Sequence, residues 1–301
     1  MKTFDAQGTA ALTPYPALID ALSAAALEVA SGKISCPQRQ VLALQGGGAL
    51  LSMVAVAADL AVHKLVTFVP ANPGRAMPAI QGQVSAWDAR TGEHLLTLDG
   101  ATVTGRRTAA LSLLGVRTLL AHQPKRFRLF GTGTQARHHL EAILEVYPEA
   151  RVEISGRSPE ASEKFCRRHE DPRSRLSYSR MASVDEEVDV VICCTTSQQP
   201  VYVDPARPGR LVIAVGSFTP EAAEVGAGTV RASQVFVDDL EGARHEAGDL
   251  LRAGVDWQQV QPLSGQLKSG AVPPGPLLLK TVGCAAWDLA AARVAIARAS
   301  V

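Results

Sequence analysis

Apolar residues follow two rhythms along the chain, and the change falls near Thr104. Leu18, Leu22, Ala25 and Val29 recur at helical spacing, with Pro14 and Pro16 near the start and Gly32 at the stop, which predicts a helix over residues 14–32. From Arg39 to Leu98 the runs are short and of β type: Val41 to Leu44, Lys64 to Val69, Val84 to Trp87 and His94 to Leu98. The last two flank Asp88-Ala89-Arg90-Thr91-Gly92-Glu93, where Gly92 can adopt the left-handed conformation that closes a hairpin. Gly46-Gly47-Gly48 has no GK[ST] after it and reads as a bend between strands, not a phosphate loop.

Beyond Thr104 helical and strand patterns alternate. Helices are predicted over residues 108–121, 135–147 and 159–169, and strands at Phe127 to Phe130, Val152 to Ser155, Val188 to Cys193, Leu211 to Val215 and Val235 to Asp238. Strands separated by helices imply a parallel sheet covered on both faces, the doubly wound α/β arrangement. An Ala-rich amphipathic stretch, Thr281 to Arg298, follows Val272-Pro273-Pro274-Gly275-Pro276, the best candidate for an internal linker. Periodicity alone does not assign that stretch to either part.

The 301 residues suffice for two domains with cores of their own. Thirty Lys and Arg against 29 Asp and Glu leave a net charge of +1, so there is no global field to gather nucleic acid or anionic lipid. The most apolar stretch, Ala49 to Val62, is broken by Ser52 and Asp59 and is shorter than the roughly 20 residues of a membrane span. Met1-Lys2-Thr3-Phe4-Asp5 lacks the order of a secretory signal. Five cysteines without a C-x-x-C spacing indicate neither a disulfide framework nor zinc, and a cytoplasmic location is expected. No metal site is expected: His138-His139, Cys193-Cys194 and Asp238-Asp239 receive structural readings, the aspartates as capping and solvent-facing residues.

The strand Phe127 to Phe130 runs into Gly131-Thr132-Gly133-Thr134-Gln135-Ala136 at the opening of a helix. In this G-x-G-x-x-A pattern Gly131 permits the tight turn, Gly133 lets backbone approach a pyrophosphate, and Ala136 allows close helix–strand contact. Thr134 and Gln135 complete the first turn, and a dinucleotide site is expected there. The next strand ends in Gly156-Arg157-Ser158, whose side chains offer donors to a ribose 2′-phosphate, so NADPH is favoured while NADH stays possible. Glu153, the alternative ribose partner, sits inside the strand. Thr195-Thr196-Ser197 and Val215 follow two further strands and are expected beside the cofactor.

Alternation puts Lys64 on the same face as Val66 and Phe68, where a lysine costs free energy unless an anion meets it; the alternative is a lysine guarding a sheet edge. Arg107 reads as opening a helix, where a cation opposes the dipole unless a bound anion compensates it.

The chain resembles the ornithine cyclodeaminase/mu-crystallin family in seven segments that keep their order over nearly its whole length. These are the Arg39 strand, Lys64-Leu65-Val66-Thr67 through Pro70-x-Asn72, Asp88-Ala89-x-Thr91-Gly92 and Leu98-Asp99-Gly100. Arg107-Thr108-Ala109-Ala110, the Gly131 motif and Lys280-Thr281-Val282-Gly283-x-Ala285-x-x-Asp288-Leu289-Ala290 complete the set. The resemblance implies a Rossmann domain over residues 108–280 and a smaller α+β substrate and dimerisation domain built from residues 1–107 and 281–301, in a homodimer. It also implies that Arg39, Lys64 and Arg107 grip a substrate carboxylate, a task suited to bidentate arginines and a lysine point charge. Cyclodeaminases carry an acid shortly before the position of Met53 and another just after the position of Gly216. Here Leu51-Ser52-Met53-Val54 and Val215-Gly216-Ser217-Phe218-Thr219-Pro220 have none.

These departures point to the imine-reducing branch, with reduction of Δ1-pyrroline-2-carboxylate and Δ1-piperideine-2-carboxylate to proline and pipecolate. Lys64, its pKa lowered by burial and neighbouring cations, is then the candidate proton donor to the imine. An ornithine or lysine cyclodeaminase, an alanine-dehydrogenase-like enzyme and a non-catalytic dinucleotide-binding protein are the alternatives.

Overall fold

The computed structural model describes residues 2–170, 175–179 and 184–299. In chain order the first elements are β1 (Lys2–Thr3), α1 (Ala6–Leu12), α2 (Tyr15–Ala30), β2 (Gln40–Ala43), β3 (Ala49–Val56), β4 (Leu60–Phe68), β5 (Ile80–Asp88), β6 (His94–Asp99) and α3 (Gly100–Leu119). There follow β7 (Arg126–Phe130), α4 (Thr134–Val146), β8 (Arg151–Ser155), α5 (Pro159–Arg168), β9 (Arg175–Tyr178), β10 (Val190–Cys193), β11 (Leu211–Ala214) and α6 (Ala227–Arg231). The remainder is β12 (Gln234–Val237), α7 (Leu240–Glu246), α8 (Gly248–Ala253), β13 (Gln261–Pro262), α9 (Leu263–Ser269), β14 (Leu277–Lys280) and α10 (Ala285–Ala299). Two compact units result: Met1–Ala110 with Cys284–Val301, and Leu111–Gly283.

The first unit is a six-stranded sheet in the order β1-β6-β5-β4-β3-β2, antiparallel except for the β1–β6 pair. Strand alternation turns Leu60, Val62, Lys64 and Val66 of β4 inward. Tyr15, Leu18, Ile19 and Leu22 of α2 supply the core, and α10 packs on both α2 and β4. Ala285 to Ala292 of α10 are all buried, and the many alanines let its backbone lie close to the sheet. Arg293 fixes the helix by reaching Asp59 at 2.7 Å and Glu28 at 2.9 Å. Arg106 lies over the ring of Tyr15, 3.9 Å from its centroid, and its Nε donates to the carbonyl of Thr13, so this arginine braces α2 and α3.

The second unit is an all-parallel sheet in the order β13-β12-β14-β11-β10-β7-β8-β9. From β7 the chain steps outward to β8 and β9, then returns to the other side of β7 with β10 and continues through β11. The strand order therefore reverses between β7 and β10, and the carboxyl ends of that pair form the switch point at which such sheets take ligands. β10, β11 and β14 are buried along their whole length, as a sheet covered on both faces requires.

Several expectations change. Lys64 is on the fourth strand of six and guards no edge. Helix α3 starts at Gly100, with Asp99 accepting from the backbone N–H of Thr102, so Arg107 lies two turns inside the helix and its charge is not answered at a helix start. The Pro-rich segment is no linker between domains: it feeds β14 into the middle of the parallel sheet, between β11 and β12. Asp239 caps α7, but Asp238 does not face solvent, since its oxygens accept from the N–H groups of Val282 and Gly283. Among the described residues no single helix is long and apolar enough to cross a membrane.

Candidate active site

In the first unit the inward row of β4 brings Lys64 against α10, where its Nζ lies 2.7 Å from Oδ2 of Asp288. Arg107 reaches the same carboxylate from α3, Nε to Oδ1 at 3.5 Å. Lys64 and Asp288 are 2% and 0% exposed, so water screens this group very little. The Lys64 ammonium is pushed down to about 8, first by burial; Asp288 pulls it up, and Arg107 and Arg39 press it down again. Arg39, half-buried just before β2, is thus near enough for its charge to be felt at Nζ. The three predicted cations are brought together: Lys64 and Arg107 share the one carboxylate of Asp288, which leaves positive charge over, and the charge of Arg39 acts on Lys64 as well. Arg107 Nε and both Asp288 oxygens, all buried, make no hydrogen bond of good geometry among the described residues. The surplus positive charge and the unsatisfied Nε–H of Arg107 suit an anionic ligand.

Sequence reasoning assigns Asp288 no role beyond its position in a motif. The signal that could find it is local: an acid on an Ala-rich apolar helix is rarely buried without a cation opposite.

In the second unit the other predicted residues gather at the carboxyl ends of β7, β8, β10 and β11. Gly131 has φ +128°, and a Cβ there would stand 2.6 Å from the carbonyl oxygen of Cys194, across the switch point. Gly133 is the N-cap of α4; it has no side-chain cap, and open space surrounds the position of its missing Cβ. Thr134 is exposed, Gln135 half-buried and Ala136 fully buried against the sheet. The uncapped N-terminus of a 13-residue helix, behind a side-chain-free turn, fits a pyrophosphate. Arg157 is exposed beyond β8, and Ser158 caps α5 by accepting from the N–H of Ala161, which leaves its hydroxyl proton for another acceptor. Glu153 is paired with the buried Arg128 through Oε2.

A buried polar network that sequence reasoning misses holds two of these loops. Glu224 accepts from the N–H and hydroxyl of Thr195 at 2.5 and 2.8 Å through Oε1, and from the N–H groups of Gly216 and Ser217 at 2.5 and 3.3 Å through Oε2. Every partner is a donor, which favours the ionised carboxylate, while burial pushes its pKa up and Lys280 pulls it back. Asp249 accepts from the N–H groups of Glu224 and Val225 and from the Ser217 hydroxyl, and it pairs with Lys280 at 3.3 Å. Gly216 is obligatory here, because a Cβ would fall 1.9 Å from the Thr195 carbonyl oxygen. With the Thr195 hydroxyl committed, the loop presents the exposed Thr196 outward, while Ser197 turns its hydroxyl onto the carbonyl of Gln199. Val215 follows β11 directly and donates its N–H to the carbonyl of Cys193.

Both residues of the His pair and of the Cys pair are buried. His139, pushed down to about 4 by burial, is neutral; its Nδ1–H donates to the carbonyl of Gln135 and its Nε2 accepts from Ser112. Burial raises the Cys193 and Cys194 thiols well above their ordinary range.

The sequence profile of the ornithine cyclodeaminase/mu-crystallin family matches residues 6–300. This chain belongs to that family. Within the family it is 51% identical over 295 residues to the Δ1-pyrroline-2-carboxylate/Δ1-piperideine-2-carboxylate reductase of Azospirillum brasilense, covering 98% of this chain and 95% of that one. Among solved structures it is similar to the Δ1-pyrroline-2-carboxylate reductase of Thermococcus litoralis, in complex with NADH and L-proline, with a TM-score of 0.90 and 24% identity over 100% of this chain and 98% of the other. An archaeal alanine dehydrogenase dimer with bound NAD gives a TM-score of 0.88 at 24% identity, covering 100% and 96% of the two chains. These likenesses extend over both units of the family fold.

Replacing Glu224 by Gln turns an amide N–H₂ toward backbone donors and leaves Lys280 less neutralised. The variant is expected to lose about 3 kcal/mol in urea unfolding and to bind dinucleotide more weakly in a fluorescence titration.

Proposed function

We propose that this protein is an NAD(P)H-dependent reductase of cyclic ketimine carboxylates, acting on Δ1-pyrroline-2-carboxylate and Δ1-piperideine-2-carboxylate. The observation that carries this reading is the buried pair of Lys64 and Arg107, two positive charges on the one carboxylate of Asp288, with the charge of Arg39 acting on Lys64 from the start of β2. The half-identical Azospirillum reductase supports the substrate class.

In this reading the two arginines and Lys64 hold the carboxylate next to the imine carbon, which fixes the reacting atoms in place. The Gly131–Ala136 turn and the N-terminus of α4 would hold the dinucleotide's pyrophosphate, and its reduced nicotinamide would supply the hydride. As the imine carbon accepts it, the C=N π pair moves to nitrogen, which takes a proton from Lys64 Nζ; Lys64 then recovers its proton from water. An ammonium titrating near 8 is suited to give up a proton at neutral pH. Arg157 beside a free serine hydroxyl proton, with no carboxylate at the end of β8, supports NADPH, and NADH is accepted as well.

The protein works as a homodimer in the cytoplasm, the first unit joining through the outer face of its sheet. Leu42, Leu50, Val54 and Val56 share that face in the β2–β3 register, and Leu42, Val54 and Val56 are 61%, 41% and 47% exposed. A second copy of this chain is the occupant, as the dimeric alanine dehydrogenase of similar fold suggests.

NADPH and NADH oxidation with each cyclic imine, and with pyruvate plus ammonia, tests the assignment. Turnover is expected with the imines, and Arg107→Ala should lower kcat/KM about 100-fold. Oxidation only with pyruvate and ammonia would refute the ketimine reading. Arg157→Ala should raise the KM for NADPH about tenfold and leave that for NADH unchanged, the loss of one charge-assisted contact. Light scattering after gel filtration should give twice the chain mass, and Leu42→Glu with Val54→Glu should halve it.

A further inference from the structure

Asp288 is an expensive residue to keep. A buried ion pair gains little over a well-packed apolar replacement, so its presence is weak support for a stability role. It stands in the first turn of α10, where an acid suits the helix dipole, yet it is fully buried and faces two cations from other elements. Ala285, Ala286 and Ala290 to Ala292 keep α10 close to β4, close enough for a short side chain to meet Nζ.

We propose that Asp288 is the positioning residue of the active site, anchoring the Lys64 ammonium from behind so that its remaining N–H donors face the substrate's carboxylate and imine nitrogen. The proposal rests on the ketimine-reductase reading and deepens it.

Geometry and charge both support this role. An ammonium has three donors, and among the described residues Asp288 is the sole carboxylate paired with Nζ. The charged groups that act on Lys64 are Asp288 of α10, Arg107 of α3 and Arg39 before β2. Its neighbours across the sheet, Met53 on β3 and Val84 on β5, carry no charge. Without Asp288 the buried Lys64 and Arg107 would share a dry site as two like charges. Arginine does not give up its proton in proteins, so Lys64 is the member that relieves the repulsion by becoming neutral. Asp288 thereby keeps the proton on Lys64 until the imine nitrogen accepts it. Lys64 is charged below about 8 and neutral above it, so a lower folded value moves the loss of activity to lower pH.

The test is the pH profile of kcat/KM for imine-dependent NADPH oxidation in the wild type, Asp288→Asn, Asp288→Glu and Lys64→Arg. The wild type should lose activity as pH rises through about 8. In Asp288→Asn the loss should begin at least one pH unit lower, with at least about a threefold deficit at pH 7.5 that grows toward tenfold by pH 9 and closes toward pH 6, one unit being a factor of ten well above both values. Asp288→Glu, which keeps the charge, should restore the wild-type limb. A limb in Asp288→Asn that coincides with the wild type, or an equal deficit at every pH, overturns the proposal. Lys64→Arg separates the two readings: wild-type turnover with an unchanged limb would remove Lys64 as donor, whatever Asp288 does. Should Asp288→Asn not accumulate as folded protein, ¹H–¹⁵N detection of the Lys64 ammonium in the wild type decides. Slowly exchanging Nζ protons at pH 6–7 are expected, and fast exchange there refutes the anchor.

Discussion

Charge inside a protein must be answered within a few ångströms, and both compact units of this chain are organised around that requirement. In the first, Asp288 draws Lys64 and Arg107 inward but does not neutralise the cluster. In the second, Asp249 pairs with the Lys280 ammonium, and Glu224 and Asp249 are further met by five backbone N–H groups, those of Thr195, Gly216, Ser217, Glu224 and Val225, and by the hydroxyls of Thr195 and Ser217. The two solutions differ in what they leave over. The network around Glu224 is satisfied and rigid, whereas the cluster around Asp288 retains positive charge for a ligand to meet.

The same contrast separates scaffold from chemistry in the parallel sheet. Strand order alone sets the binding crevice at the ends of β7 and β10. What keeps the flanking loops in register there is the carboxylate of Glu224, reached from a segment with no recognisable motif. The side-chain-free turn at Gly131 and Gly133 and the cramped approach of Gly216 to Thr195 are one strategy applied twice: backbone replaces side chain where something must come close.

Much of this is legible in the sequence. Alternation alone turns Lys64 inward, and the spacing of glycines after an apolar strand locates the dinucleotide turn. Resemblance to the family singles out Arg39, Lys64 and Arg107 together, although a helix-start argument for Arg107 fails: the helix begins at Gly100, where the hairpin before it and the Asp99 cap decide the start, and neither produces an apolar period. β3 is hidden because Ala49 to Val56 reads as one long apolar run, and β14 because proline and glycine before it resemble a tether. Glu224, Asp249 and Lys280 lie 25 to 56 positions apart in the chain, a separation at which only tertiary structure reveals partnership.

The placement of β14 also governs the order of events during synthesis. β11 and β12 cannot pair with each other, because Leu277–Lys280 occupies the slot between them, and α10, which fills the core of the first unit, emerges later still. Neither hydrophobic core can therefore close until translation has passed residue 280: the first sheet has all its strands by Asp99 but lacks its packing helix, and the second lacks a central strand. During that interval the edges of β11 and β12 that β14 later covers are open to pairing with other strands, a consequence of the strand order itself.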